Sequence, residues 1–289
     1  MNKVCFLPWS GEFGWYLMVH VRRVHKHNAD YKIVCCAPGE ECLYPTANEF
    51  YHYTDFTPDC QKRHGKPISQ QDAAEIKSYF KQRGDRGITY IDAAFDRKGS
   101  QYRYEAVQVQ PAPQTARNIK TDILVAPRLR AGLDEDRRNL GYWDDIVRAL
   151  ADKGHKVGLI GSKELSYDIN IDGVVRSWDI SDTVDCIVDM MYNTGMVISS
   201  NSGMAHLAIL CQTVPLCVLG HKGGPAFTWM KGQWSQKIPF TECHGGIWDD
   251  KDASIEYVLH VAAQINNLKP RLYGYNMATQ KLRTQSISG

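Results

Sequence analysis

Short apolar runs and segments with helical spacing alternate through the first forty residues. An apolar run at 3–7 is followed by a turn that contains Gly11 and Gly14, and then by apolar positions at helical spacing. A β-branched run over 31–36 comes next and ends at a Pro-Gly pair. This order predicts a strand, a glycine turn, a helix and a second strand, which together form a βαβ unit with a right-handed crossover.

The same alternation continues toward the C-terminus. Helical spacing predicts helices over 71–83, 141–153, 181–192, 204–211 and 255–265. Apolar runs predict strands over 88–91, 123–126, 156–160, 196–199 and 214–219. Because strands that alternate with helices form parallel sheets covered by helices, the sequence predicts an α/β fold.

A change of composition in the middle of the chain predicts a domain boundary. Two prolines stand among small polar residues at 110–115, shortly before the strand predicted at 123–126. This composition is typical of a linker between domains. We therefore predict a first domain over 1–118 and a second over 119–289, and a length of 289 residues agrees with two domains.

Charge and cysteine content exclude several classes of protein. Lys and Arg total 34 against 32 Asp and Glu, so the net charge of +2 excludes a polybasic nucleic-acid binder, although a local basic face stays open. Nine cysteines without a CxxC pair predict neither a disulfide framework nor a zinc site. Without a run of 18 apolar residues or a signal peptide in the sequence, we expect a cytoplasmic protein with no transmembrane segment.

The junction between the strand at 196–199 and the helix at 204–211 is rich in hydrogen-bond donors. It contains Ser200, Asn201, Ser202, Gly203 and, one turn into the helix, His206. Unpaired N–H groups and the helix dipole favour an anion such as phosphate at this position. Ser, Asn and Gly are also the usual helix caps, so the spacing leaves anion binding and simple capping as alternatives.

Two further loops follow strands of the second domain. Arg128 and Arg130 come after the strand at 123–126, where guanidinium groups can grip a diphosphate, or else belong to a solvated charged loop. Glu164 follows the strand at 156–160, where a carboxylate can accept hydrogen bonds from ribose hydroxyls or cap a helix. In open parallel sheets, ligands bind beyond the carboxyl ends of the strands, which makes these loops candidate sites.

A carboxylate lies in the first glycine turn. Glu12 stands between Gly11 and Gly14, in a turn that lets backbone approach a ligand but does not match the GxGxxG pattern of dinucleotide sites. Glu12 is a candidate general base, although carboxylates are also common in the first turn of a helix. Asp92 and Asp96, which also suit turns, are rival bases.

The sequence NSGMAHLA over 201–208 resembles the strand-to-helix junction of the heptosyltransferase-type glycosyltransferases. Those proteins carry Asn or Asp, then Ser or Thr, Gly, two variable residues and His. The resemblance covers about residues 121–220 and is weak before them. It implies the GT-B fold, in which two Rossmann-like domains have parallel sheets that face a cleft, and an inverting transfer that needs no metal and no cofactor.

The resemblance also implies a nucleotide-diphospho-sugar as co-substrate, held by the second domain. Its diphosphate would lie near Ser202, Gly203 and His206, and its ribose near Glu164. In the first loop the family has a Gly-Asp pair whose aspartate is the proposed base, whereas here Gly14 is followed by tryptophan. The nearest carboxylate is Glu12, which we predict to be the base.

The resemblance implies that the first domain binds the acceptor, and aromatic and basic residues occur together in that domain. We predict Arg22, Tyr51 and Tyr53 as acceptor-binding residues, although such residues also fill cores or face water. Aromatic groups beside basic ones suit a nucleic-acid base flipped out of its stack. We therefore favour a hydroxymethylated pyrimidine in DNA as the acceptor, as in phage DNA-glycosylating enzymes. The alternative acceptor is a lipopolysaccharide or other glycan.

Two other classes of protein stay open. A non-catalytic nucleotide-sugar-binding protein needs the anion loops of the second domain but no base. An NAD-linked oxidoreductase would use the first glycine turn, and the missing GxGxxG pattern argues against it. The sequence predicts neither the sugar, the nucleotide nor the oligomeric state.

Overall fold

The computed structural model describes residues 1–53, 68–92, 107–111, 119–129, 140–200, 202–211, 216–220, 241–245 and 255–263. The chain divides into two compact units, one of residues 1–114 with 183–185 and one of residues 115–182 with 186–289. The predicted boundary at residue 118 lies within 112–118, outside the described residues, and stays a prediction.

The first unit contains a parallel sheet of four strands in its described part. These strands are β1 (Lys3–Phe6), β2 (Tyr31–Cys36), β3 (Glu49–His52) and β4 (Ile88–Ile91), in the order β3-β2-β1-β4. The predicted strands β1, β2 and β4 are confirmed, whereas β3 was not predicted. Most of β1 and β2 is buried, since these apolar strands lie between β3 and β4.

Helices of the first unit follow β1 and precede β4. The segment after β1 begins as a short α-helix at Phe13–Trp15, continues as a π-helix at Tyr16–Val21 and ends as an α-helix at Arg22–Lys26. The predicted helix near 71–83 is confirmed at Gln70–Gln82, where the Ser69 hydroxyl accepts the first-turn N–H of Asp72 at 3.1 Å. This helix buries Ile76 and Phe80 in the core of the unit.

The second unit contains a parallel sheet of six described strands. Their order is β10-β9-β8-β5-β6-β7, and their bounds are β5 Thr121–Ala126, β6 Val157–Leu159, β7 Val175–Arg176, β8 Thr194–Ser200, β9 Leu216–Gly220 and β10 Thr241–Gly245. The helices are Leu140–Asp152, Ser177–Ile180, Val184–Tyr192, Gly203–Cys211 and Ile255–Ala263. The predicted alternation of strands and helices is confirmed in this unit, while β7 and β10 are additional.

The order of these strands brings together the loops that carry the candidate donor residues. β5 pairs with β8 on one side and with β6 on the other, and all three strands are parallel. Their carboxyl ends therefore lie side by side at one edge of the sheet. All seven residues of β8 are buried, so the Ser-rich end of this strand is held by the core of the unit.

Candidate functional site

The end of β8 and the start of the following helix form a buried cluster of serine hydroxyls. Ser199 Oγ donates to the carbonyl of Ser200 at 2.8 Å and lies 3.0 Å from Ser202 Oγ. The hydroxyl of Ser200 is also buried, and it has no hydrogen-bond partner among the described residues. The helix begins at Gly203, which is partly exposed. The cluster thus contains one buried hydroxyl without a described partner, close in sequence to the partly exposed first residue of the helix.

His206 lies one turn inside that helix. Its backbone N–H bonds to the carbonyl of Ser202 at 3.3 Å, and the residue is buried. Asn201, the first residue of the motif, lies outside the described residues. The structure thus places Ser200, Ser202, Gly203 and His206 together at one helix N-terminus.

The loop after β5 pairs with the segment after β6. Arg128 forms an antiparallel bridge with Ser166, and Leu129 N–H donates to the carbonyl of Leu165 at 2.8 Å. Arg128 is half-buried, and Glu164, in the paired segment, is exposed. The structure therefore brings the segments of Arg128 and Glu164 together, while Arg130 lies outside the described residues.

A glycine fixes the turn that leads from β6 to Glu164. Ser177 Oγ donates to the carbonyl of Gly161 at 3.0 Å, and the N–H of Gly161 lies 3.3 Å from the same oxygen. Gly161 has a φ of +143°, and a Cβ atom there would lie 2.0 Å from Ser166 Oγ. Glycine is therefore required both by the backbone conformation and by the close approach of Ser166.

The first glycine turn positions Glu12 at the start of a helical segment. Glu12 is half-buried, and its carbonyl accepts the N–H of Tyr16 at 3.0 Å, while its side chain makes no capping hydrogen bond to the helix. Gly14 is buried in the first helical turn, and Gly11 lines a cavity. Glu12 thus precedes the first helical turn, and both of its predicted roles, general base and carboxylate at the start of a helix, stay open.

That cavity lies within the first unit and has a volume of about 30 Å³. It is formed by residues that follow β1, by the end of β2 and by the end of β3. Its lining residues are Pro8, Trp9, Gly11, Phe13, Tyr16, Cys35, Cys36, Ala37, Glu40 and Tyr53. The lining is largely aromatic or apolar, with the carboxylate of Glu40 as its acidic group.

Glu40 is a candidate functional residue that the sequence reasoning missed. Its Oε2 accepts the hydroxyl of Tyr16 at 2.9 Å and the N–H of Ala37 at 3.1 Å, and the hydroxyl of Tyr44 in turn donates to that of Tyr16 at 2.5 Å. Burial raises the pKa of the Glu40 carboxyl, and the Tyr16 hydrogen bond opposes that rise. Glu40 lies just beyond β2, so the rule that ligands bind at carboxyl ends of parallel strands was the available signal.

The residues predicted to bind an acceptor occupy three different environments. Arg22 is buried in the helical segment. Tyr51 packs on the helix Gln70–Gln82, with its ring centroid 4.8 Å from that of Tyr79 and 5.6 Å from that of Phe80. Tyr53 lines the cavity. The structure therefore brings Tyr53, but not Tyr51 or Arg22, to the lining of that cavity.

Of the two rival bases, Asp92 is not among the described residues that line the cavity. The backbone carbonyl of Asp92 accepts a hydrogen bond of 3.1 Å from Arg23 Nη1. Asp96 lies outside the described residues. Within the described ranges, three or more His, Cys, Asp or Glu side chains nowhere gather into a metal-binding group. In the same ranges, each helix is too short or too polar to cross a bilayer.

Comparison with solved structures identifies the fold. A family 9 glycosyl transferase from Veillonella parvula is 10% identical, with a TM-score of 0.56 over 91% of this chain and 97% of its own. The ADP-heptose lipopolysaccharide heptosyltransferase II of E. coli is 14% identical, with a TM-score of 0.56 over 93% of this chain and 100% of its own. E. coli heptosyltransferase WaaC, solved with ADP, is 10% identical, with a TM-score of 0.51 over 91% and 99%.

No protein-family model and no curated protein sequence matches this chain. The identities to the solved structures are low, so the likeness concerns the fold alone. The chain thus has an α/β fold with two parallel sheets, similar along more than nine tenths of its length to the fold of these glycosyltransferases.

Proposed function

We propose that this protein is a glycosyltransferase that moves a sugar from a nucleotide-diphospho-sugar to an acceptor hydroxyl. The fold is similar to that of two heptosyltransferases, one of them solved with ADP. The motif at 201–208 matches the pattern of the same class of enzymes. The proposal includes the GT-B arrangement with a cleft between its domains, and an inverting transfer without a metal or cofactor.

The observation that carries the proposal is the hydroxyl of Ser200. It is buried without a partner among the described residues, directly before the helix Gly203–Cys211. A buried hydroxyl without a partner costs about 1–3 kcal/mol. A diphosphate oxygen would accept its hydrogen bond, and the positive end of the helix dipole stabilises the same negative charge.

The other donor-binding residues are assigned around that point. Ser202, Gly203 and His206 would contact the diphosphate together with Asn201 and Ser200. Arg128 and Arg130, after the neighbouring strand β5, would neutralise the leaving diphosphate. Glu164, after β6, would accept hydrogen bonds from the ribose hydroxyls. Since β8, β5 and β6 are adjacent and parallel, their carboxyl ends, which these residues follow in sequence, lie at the same edge of the sheet.

Glu12 is assigned as the general base, with Gly11 and Gly14 giving the turn that carries it. Gly11 directly precedes Glu12, so the chain has a glycine-carboxylate pair three positions before Gly14 and Trp15. Its side chain is half-buried and makes no helix-capping hydrogen bond. As a base it would take the proton of the acceptor hydroxyl while the positive groups stabilise the leaving diphosphate.

The acceptor that the structure favours is a glycan hydroxyl. Arg22 is buried, and Tyr51 is packed against Tyr79 and Phe80, so the basic and aromatic pair that favoured a flipped DNA base is not presented together. A hydroxymethylated pyrimidine in DNA remains the second acceptor to test, with Arg22, Tyr51 and Tyr53 as its predicted contacts.

The test is release of a nucleoside diphosphate from a panel of nucleotide-sugars. Hydroxymethylated DNA and a lipopolysaccharide core are offered in turn as acceptors. We expect release that depends on the glycan, and a loss of about 10²- to 10⁴-fold in Glu12→Gln with donor affinity retained. Binding of nucleotide-sugar without turnover on either acceptor would identify a binding protein instead, and wild-type turnover in Glu12→Gln would exclude that residue as the base.

A further inference from the structure

Tyr16 is held at its backbone and at its hydroxyl. Its backbone N–H donates to the carbonyl of Glu12 at 3.0 Å, so it closes the turn that begins at the proposed base. Its hydroxyl donates to Oε2 of Glu40 at 2.9 Å and accepts the hydroxyl of Tyr44 at 2.5 Å. The buried phenol thus both donates and accepts, and Tyr16 connects the backbone of Glu12 to the segment after β2.

The ring of Tyr16 packs on residues that precede and follow Glu12 in sequence. Its centroid lies 6.3 Å from that of Trp9 and 6.0 Å from that of Phe13, distances typical of aromatic pairs in contact. Phe13 also lines the same cavity as Tyr16 and Glu40. The contacts of Tyr16 and the turn that carries the proposed base therefore lie together, beyond the carboxyl ends of β1 and β2.

The helical segment after Glu12 changes its hydrogen-bonding pattern at Tyr16. The α-helical turn Phe13–Trp15 is followed by the π-helix Tyr16–Val21, a rare geometry that is often found at functional sites. Since π-helical bonds span five residues and α-helical bonds four, a return to α-helix would shift the register by one residue. One residue of an α-helix is a rotation of about 100°, which would turn Glu12 away from its present direction.

We propose that Tyr16 is a positioning residue for Glu12: its phenol, held by Glu40 and Tyr44, keeps the segment in the π-helical register and so fixes the direction of the Glu12 carboxylate. Tyr16 acts through Glu12, which keeps the role of base. The inference rests on the proposed function, since it names the residue that orients the base of that enzyme, but its structural part can be measured without turnover.

Two phenol variants test the inference. Tyr16→Phe keeps the ring and removes the hydroxyl that is bonded to Glu40. Tyr31→Phe is the matched control, because the Tyr31 hydroxyl donates to Oε2 of Glu49 at 3.1 Å, at the amino ends of β2 and β3 in the same sheet. Each variant loses one hydrogen bond between a phenol and a carboxylate, but only Tyr16→Phe loses it next to the turn of the proposed base.

Amide hydrogen exchange of the full chain, followed by NMR, measures how firmly the turn is held. We expect the amide of residue 16, which is bonded to the Glu12 carbonyl, to exchange about tenfold or more faster in Tyr16→Phe, because a hydrogen bond to a carboxylate is lost. Glu40→Ala removes the acceptor of the same bond and should accelerate this exchange as well. An unchanged rate in either variant overturns the inference, as does an equal acceleration in Tyr31→Phe.

A double-mutant cycle on turnover separates positioning of the base from a general structural role. Nucleoside diphosphate release is measured with the nucleotide-sugar panel and the lipopolysaccharide core. Tyr16→Phe should lower kcat about tenfold or more with the donor KM unchanged, since small displacements of a catalytic group have large effects on rate. In a chain that already carries Glu12→Gln, Tyr16→Phe should have no further effect. Tyr31→Phe should keep the kcat of the unmodified protein.

The outcomes of the cycle distinguish this inference from the proposed function. If Tyr16→Phe lowers kcat equally with and without the Glu12 carboxylate, the positioning role is overturned and the transferase stays intact. Absence of release with every donor overturns the transferase and, with it, the role of Glu12 as base. The exchange comparison then still decides whether the Tyr16 phenol holds the turn.

Discussion

The hydroxyl of Tyr16 donates a 2.9 Å hydrogen bond to Oε2 of Glu40. Tyr16 belongs to the π-helix after β1, and Glu40 lies beyond β2, so the bond joins the two segments that follow neighbouring strands. A second phenol, Tyr44, donates to Tyr16 and extends the chain of hydrogen bonds into the core. The pKa of Tyr16 is raised, chiefly by burial, so the phenol stays protonated and continues to donate.

Neutralising Glu40 should stabilise the folded protein at neutral pH. Burial raises the pKa of this carboxyl in the folded state, so its contribution to stability is greatest below the unfolded pKa and is lost as pH rises through the folded pKa. Glu40→Gln removes the buried charge and should raise the free energy of unfolding by about 0.5–2 kcal/mol at pH 7–8. Denaturant unfolding of both proteins at pH 4 and pH 8 measures the difference in free energy of unfolding. We expect a smaller stabilisation by Glu40→Gln at pH 4.

The control for that prediction is Glu41→Gln. Glu41 forms an ion pair with His52, which is substantially exposed, so its neutralisation should change stability by less than about 1 kcal/mol. If Glu41→Gln raises the free energy of unfolding as much as Glu40→Gln does, general charge repulsion, and not burial of Glu40, causes the stabilisation.

Two adjacent serines should respond in opposite ways to removal of the hydroxyl. Ser200→Ala removes a buried hydroxyl without a described partner, so the ligand-free protein should keep or gain stability. Ser199→Ala removes the bonds to Ser200 and Ser202 and should cost about 1 kcal/mol or more. Thermal unfolding, followed by calorimetric titration with a nucleoside diphosphate, measures both effects.

Diphosphate affinity decides what the unpartnered hydroxyl does. In Ser200→Ala we expect the affinity for the diphosphate to fall about tenfold or more, because the variant loses a hydrogen bond to a charged group. If the affinity of Ser200→Ala equals that of the unmodified protein, the hydroxyl does not contact the diphosphate.

Gly161→Ala should destabilise the second unit more than the same change at another left-handed glycine. Gly154 has a φ of +81° and open space around its Cβ position, so Gly154→Ala meets only the backbone penalty of about 1–2 kcal/mol. In Gly161→Ala the new Cβ atom would also lie 2.0 Å from Ser166 Oγ. This clash should lower the free energy of unfolding by about a further 1–3 kcal/mol. Denaturant unfolding of both variants measures the difference. Ser166→Ala combined with Gly161→Ala should recover part of the loss, and equal costs at the two glycines would contradict the steric account.

His20 should make the protein less stable in acid. The ring is 1% exposed, lies among Phe6, Trp9, Tyr16 and Tyr44, and has neither nitrogen bonded within the described residues. Burial, with a smaller contribution from Arg23, lowers its pKa from 6.5 to about 3. The folded state therefore resists protonation, so stability is complete above pH 6.5 and falls by up to about 1.4 kcal/mol per unit toward pH 3.

His20→Phe tests this dependence, because phenylalanine cannot be protonated. We expect the variant to lose less stability than the unmodified protein between pH 7 and pH 5 in urea titrations, whatever its stability at pH 7. His155→Gln, at the half-buried turn before β6, serves as the matched histidine control. The same slope in His20→Phe would show that another group controls the acid response.

Local patterns were sufficient for most elements of the fold. The strands β1, β2, β5, β6 and β8 are apolar runs, and the helix Gln70–Gln82 has a serine cap and a regular apolar face, so their own residues specify them. β3 was missed because Glu49–His52 has no fully buried residue and is a strand by virtue of its pairing with β2. The π-helix at Tyr16–Val21 was predicted as ordinary helix, since both kinds of helix show similar apolar spacing.

The candidate sites divide in the same way. The Ser-rich junction before Gly203 is contiguous in sequence, so its residues and its position at a helix start could be predicted from the sequence alone. The cavity with Trp9 and Glu40 could not, because its lining comes from three segments that only the pairing of β1, β2 and β3 brings together. Burial of Arg22 was likewise decided by packing: side-chain type specifies local chemistry, whereas exposure depends on which distant segments cover the residue.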